Sequence, residues 1–179
     1  MKNMSPKQTS IVIMGVAGCG KSTLGVALAR QLGLPLIEGD SHHSADSLTK
    51  MRGGIALTDA DRDGWLTELC AQLSNPPTAI VLTCSALKRS YRDRLRHACP
   101  GLHFVYLDIS RADALARVTA RAAAHFFSTS LVDSQFATLE VPTAEDGVLR
   151  VDAMATLPDL QAQVCAWLTT PNLTNKEPA

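Results

Sequence analysis

The sequence predicts an α/β protein: a five-stranded parallel sheet between two layers of helices, with a small lid segment. Three observations carry this reading. Five short apolar runs alternate with five stretches of helical period, the pattern of strand–helix–strand units. The first run passes through a glycine-dense turn directly into a helix. Apolar residues make up 46% of a 179-residue chain, enough for the core of one domain.

The first strand spans Ile11–Gly15, where Ile11, Val12, Ile13 and Met14 are consecutive and apolar, as in a strand covered on both faces. The helix over Ser22–Leu32 places Leu24, Ala27, Leu28 and Leu32 on one face and ends at Gly33 and Pro35. The second strand is Pro35–Gly39. A helix over Thr58–Leu73 starts with Thr58 as N-cap and Asp59 and Asp61 in its first turn. Its Trp65, Leu66, Leu69 and Leu73 share a face, so Trp65 reads as core. The third strand, Ala79–Cys84, leads to a helix over Lys88–His97, and the fourth, His103–Ile109, to a helix over Arg111–Ala122. The fifth, Val148–Val151, precedes a last helix over Pro158–Leu168. Residues 10–169 form one domain with a lid at about 121–135; residues 1–9 and 170–179 read as flexible ends.

Between the first strand and helix lies Gly15-x4-Gly20-Lys21-Ser22, a match to G-x-x-x-x-G-K-[ST] at every fixed position. A polyphosphate held by backbone N–H groups must approach the main chain closely. Gly15, Gly18 and Gly20 remove the side chains that would obstruct it. The helix that follows points its unpaired N–H groups and positive dipole end at the anion. Lys21 reaches the β- and γ-phosphates and Ser22 ligates Mg²⁺. A phosphate-binding loop is the reading that accounts for Lys21 followed by Ser22.

In sheets of this kind, ligands sit outside the carboxyl ends of the strands. Asp40, at the tip of the second strand, is placed to accept a hydroxyl proton or to organise Mg²⁺ and its waters. His42–His43 lacks the further ligands a metal needs. Lys50, Arg52 and Arg62 surround a Gly-Gly break and are candidates for an anionic substrate. Lys88 and Arg92, one turn apart beyond the third strand, are candidates for the same task. Arg117 and Arg121 enter the lid, where arginine can be brought to the phosphates.

Composition narrows the function further. Lys+Arg and Asp+Glu are both 17, which argues against nucleic acid as a partner. No apolar stretch approaches the roughly 18 residues of a membrane span, and "MKNMSPKQTS" lacks the apolar region of a secretory signal. Cys19, Cys70, Cys84, Cys99 and Cys165 are scattered without metal-ligand or disulfide spacing, which suggests reduced thiols in a cytoplasm.

Several stretches together resemble the gluconate kinases (gluconokinases) of the P-loop kinases, close to shikimate kinases in fold. They are "MGVAGCGKST", "GDSHH", "KMRGG", "LTDADRDGWL", "CSALKRSYRDRLR", "HFF" and "LVDSQFATLEVP". The resemblance covers about residues 10–168. It implies transfer of the ATP γ-phosphate to the 6-hydroxyl of D-gluconate, giving 6-phosphogluconate, with Mg²⁺, in a cytoplasmic homodimer. It implies that Gly15, Val16, Ala17, Gly18, Cys19, Gly20, Lys21, Ser22 and Thr23 hold the ATP phosphates, with Arg117 and Arg121 from the lid. Catalysis falls to Lys21, Asp40 and Arg121, with Asp40 as base or hydroxyl-orienting group. His43, Lys50, Arg62, Lys88, Arg92, His125 and Gln135 match positions at or near the sugar acid.

The chain departs from the family pattern at Ser47 (usually Asn), at Ala56 and Gly64 (usually Pro), and at Glu38, where many relatives carry Asp. Arg121-Ala-Ala-Ala-His125 is one residue longer than the usual Arg-x-Gly-His. Cys19 replaces a common Ser; it is either an inert small residue or a thiol activated by the helix N-terminus. Two other readings compete. One is a different small-molecule P-loop kinase, of the shikimate or nucleoside-monophosphate type. The other is a nucleotide switch, but no D-x-x-G follows a strand and no N-K-x-D occurs.

Overall fold

The computed structural model describes residues 9–122 and 129–170. Five strands, β1 (Ile11–Met14), β2 (Leu36–Glu38), β3 (Val81–Thr83), β4 (His103–Asp108) and β5 (Val148–Asp152), form one sheet. Their order is β2-β3-β1-β4-β5, with every pair parallel. Seven α-helices occur among the described residues: α1 (Lys21–Leu32), α2 (Ala45–Arg52), α3 (Asp59–Ser74), α4 (Arg89–Ala98), α5 (Arg111–Ala122), α6 (Thr129–Thr138) and α7 (Leu157–Thr169). A 3₁₀ turn, Gly39–His42, follows β2.

The strands and helices expected from the sequence all form, with ends within two residues of those read from it. Helices α2 and α6 were not anticipated. The first is short and polar around most of its circumference, so it shows no apolar stripe, although Ser44 caps it by accepting from the Ser47 N–H at 3.1 Å. The second falls in the stretch read as lid, and it buries Leu131 and Val132. The predicted lid is thus partly α5 end and α6 start; His125 lies outside the described residues.

β1 is the central strand, and both of its faces are covered. Ile11 and Ile13 belong to a core with Leu24 and Leu28 of α1, Val118 of α5, and Leu160 and Val164 of α7. Val12 and Met14 belong to a second core with Trp65, Leu69 and Leu73 of α3 and Tyr91 and Leu95 of α4. The alternation is the two-residue period of a strand, and each such fully buried side chain contributes about 1.5–3 kcal/mol. The crossovers converge at the carboxyl edge of the sheet, where the loops after β1, β2 and β3 meet.

Close packing at that edge fixes residue 39. A Cβ on Gly39 would lie 2.2 Å from the Thr83 carbonyl oxygen, which belongs to β3 backbone and cannot give way. Gly39→Ala should therefore cost about 2–3 kcal/mol of stability through overpacking, read as a lower urea midpoint with an unchanged m-value.

Candidate active site

The loop after β1 runs from Gly15 to Gly20, and α1 begins at Lys21 with no side chain capping its N-terminus. The first N–H groups of α1 therefore have no side-chain acceptor at Gly20, as an anion site requires. Gly18, at φ 81°, lies against α5: a Cβ there would meet the Ala114 carbonyl at 2.8 Å. Lys21 Nζ donates to the carbonyls of Gly15 and Val16, each at 3.1 Å, so the ammonium is folded over its own loop. Cys19 is buried to 1% exposure beneath the loop. Its place is that of a small core residue.

Four other elements brace this loop and the start of α1. Ser22 Oγ donates to Glu38 Oε2 at 3.0 Å, and Thr83 Oγ1 donates to the same oxygen at 2.5 Å. The tips of β2 and β3 thereby hold the hydroxyl expected to face a metal. Ser22 and the Glu38 carboxylate are hard oxygen donors, the chemistry Mg²⁺ prefers. Gln135 of α6 accepts from the Ala17 N–H at 2.6 Å. Arg117 of α5 donates to Gly18 and Cys19 carbonyls at 3.4 and 3.5 Å and to the Ala153 carbonyl at 3.1 Å. It ties the loop to the chain beyond β5.

Two clefts open on either side of a shared wall. One is lined by Gly18, Gly20, Ser22, Thr23 and Arg121, the other by His43, Arg62, Ser85 and Gln135; Lys21 and Asp40 line both. The structure thus brings together Lys21, Asp40, His43, Arg62, Arg121 and Gln135 of the residues singled out in the sequence. A third, more apolar cleft, between Leu24, Arg117, Ala153 and Leu160, adjoins the loop. It reaches the chain after β5.

Arg62 is the cation best placed for an anionic acceptor. It is 9% exposed, lines the second cleft, and makes no ion pair among the described residues; its guanidinium carbon lies 6.0 Å from the Tyr91 ring. His43 stacks on Trp65 with ring centroids 4.5 Å apart. Burial pushes the His43 imidazole pKa down, against the raising effect of Asp40, so the ring is neutral near pH 7.

Lys50 and Lys88 are already paired. Lys50 contacts Asp61 at 2.6 Å and Lys88 contacts Asp59 at 2.7 Å. The Lys50 hydrogen bond, with that of Thr58, holds the Asp61 carboxyl down at about 2. Neither lysine lines the two clefts. Thr58 and Asp61 form a capping box at the start of α3, the structural role expected of them.

Arg92 corrects the sequence reading. Expected at the substrate anion, it has no exposed side-chain surface and is bound to Glu145, itself 4% exposed. Its Nη1 also donates to the carbonyls of Ala86 and Leu87 at 2.9 and 3.1 Å. The charge run on α4 concealed this because its partner lies 53 residues away. Arg92 pins the turn after β3, where Ala86 is held at φ 44°, and Ser85 in that turn accepts from the Gly15 N–H at 3.4 Å. Ser85 itself, with Leu131 and Ser134, is a cleft residue the sequence reading missed; its position at the end of β3 was the available signal.

A family model described as an AAA domain matches residues 11–142. A gluconokinase from Gluconobacter oxydans is 44% identical over 151 residues, 83% of this chain and 84% of that protein. Among solved structures, a gluconokinase from Sinorhizobium meliloti superposes with TM-score 0.82 at 43% identity, covering 89% of this chain and 91% of that one. An unliganded sugar kinase from Janibacter superposes with TM-score 0.84 at 36% identity, covering 91% and 95%.

The buried ion pair yields a stability prediction. Arg92→Ala leaves the buried Glu145 carboxylate with Arg96 alone and takes the donor from the Ala86 and Leu87 carbonyls, and should cost about 3 kcal/mol, whereas Arg92→Met with Glu145→Leu should cost less, measured by urea unfolding. Burial raises the Glu145 carboxyl pKa, but hydrogen bonds from Arg92 and Arg96 outweigh this and hold it below its ordinary value. Its stabilisation is therefore present above the unfolded-state value and lost as pH falls through the folded one. Unfolding free energies of the wild type and the double variant should converge across that acid window.

Proposed function

The chain belongs to the gluconokinase family, and on that premise we propose that it transfers the γ-phosphate of ATP to the 6-hydroxyl of D-gluconate, giving 6-phosphogluconate. The observation that carries the reading is the shared wall. Lys21 and Asp40 line both clefts, so a phosphate donor in one and an acceptor in the other would meet beside them.

The loop amides and the start of α1 bind and orient the ATP phosphates. Lys21 leaves the Gly15 and Val16 carbonyls for the β- and γ-oxygens, and Arg121 approaches from the end of α5. Ser22, with Glu38 behind it, would hold Mg²⁺, which would supply neutralisation of phosphate charge. Asp40 takes the proton of the attacking hydroxyl or aims it in line. Arg62 receives the gluconate carboxylate, where a guanidinium offers a bidentate fork. Neutral His43 and Gln135 border the sugar hydroxyls, and family resemblance assigns His125 to the sugar acid as well. Lys50 and Lys88 stand at the margin with their aspartates. Family resemblance also supports a cytoplasmic homodimer.

ADP release measured with gluconate, shikimate and nucleoside monophosphates as acceptors tests the substrate; turnover on gluconate alone is the expected result. Lys21→Ala should lower kcat by about 10²–10³-fold or more with an unchanged unfolding midpoint, and near-normal turnover would rule out its role. Arg62→Ala should raise the gluconate KM while leaving the ATP KM within about twofold.

A further inference from the structure

We propose that Trp65 is a positioning residue for phosphoryl transfer: its indole fixes the Gly39–His42 turn and thereby the Asp40 carboxylate. This rests on the reading of Asp40 as the group that handles the acceptor hydroxyl. The Asp40 side chain is 76% exposed, so its own packing does not hold it in place. Its location is set by the turn that carries it. That turn is weakly braced from within: the His43 N–H reaches the Asp40 carbonyl only at 3.4 Å, and no side chain caps its start.

Trp65 braces it from outside. Its Nε1–H donates to the Gly39 carbonyl at 2.8 Å, the peptide group immediately before Asp40. Its ring face stacks on His43 at 4.5 Å with an interplanar angle of 13°. His43 Nε2 in turn lies 4.0 Å from Asp40 Oδ1. One side chain of α3 thus grips both ends of the turn. Toward β3 the Thr83 carbonyl blocks movement, because residue 39 has no room even for a Cβ. The turn is clamped between a backbone oxygen of β3 and an indole of α3. A displacement of about 1 Å at a reacting group can cost on the order of 10²-fold in rate, so loosening this clamp would be read in turnover.

A tryptophan that merely fills the core would affect stability and leave turnover intact. The two roles separate in a cycle of wild type, Trp65→Phe, Asp40→Asn and the double variant, with kcat, both KM values and Tm measured for each. Trp65→Phe keeps an aromatic ring against His43 and removes the donor. Expected are a kcat lower by about tenfold, an ATP KM within about twofold, and no further loss when the change is added to Asp40→Asn. An unchanged kcat, or the same fold loss on both backgrounds, would overturn the proposal. Asp40→Asn with wild-type turnover would instead overturn the role of Asp40, a distinct result. Should Trp65→Phe not fold, benzothienylalanine at position 65 removes only the N–H at constant shape. The same cycle then applies with the same expected and overturning outcomes.

Discussion

Everything at the carboxyl edge of the sheet depends on a row of backbone N–H groups that the protein leaves without a side-chain cap. Helix α1 starts at Lys21 behind Gly20 at φ 100°, with no capping side chain. Uncapped donors cost stability unless water or a ligand answers them. The surroundings are built around that condition. Lys21 covers the loop carbonyls, Gln135 takes the Ala17 amide, and Arg117 collects the Gly18 and Cys19 carbonyls. Each partner comes from a different element, so the loop is held by the whole edge of the sheet and by no single neighbour.

The acceptor side is organised by a second constraint, the disposal of positive charge. The basic residues around the cleft fall into three groups. Arg92 is neutralised in the interior by Glu145; Lys50 and Lys88 are neutralised near the surface by Asp61 and Asp59. Arg62 alone of these is both buried and without an ion pair among the described residues. A chain with equal numbers of acidic and basic residues can still present an anion site when pairing is uneven. That unevenness, not net charge, is what fits the pocket to a small carboxylic acid.

Much of this was legible in the sequence because it is local. The strand-loop-helix at Ile11–Leu32 declares itself through periodicity and glycine, and Asp40 through its place at a strand tip. Thr58 with Asp61 is a local cap. What was illegible is long-range. The Arg92 partner is far along the chain, so a solvated-looking charge run turned out to contain a core residue. Helices α2 and α6 lack a clean apolar stripe, because one is mostly exposed and the other packs on a short patch. The fold places Trp65 in the core, as its helical face implied, but its N–H is a directed contact that no hydrophobic pattern could report.

The clamp on Gly39–His42 has a consequence for how such a site diverges. The turn that carries Asp40 is referenced to α3 and β3, and the next fixed point is the cap at Thr58. The chain between them, α2 and the segment to Leu57, contributes Met51, Ala56 and Leu57 to the acceptor cleft without bearing on the clamp. That excursion is a replaceable panel in a rigid frame. Its length and side chains can be rewritten to admit another polyol acid while the phosphoryl-transfer geometry stays where it is.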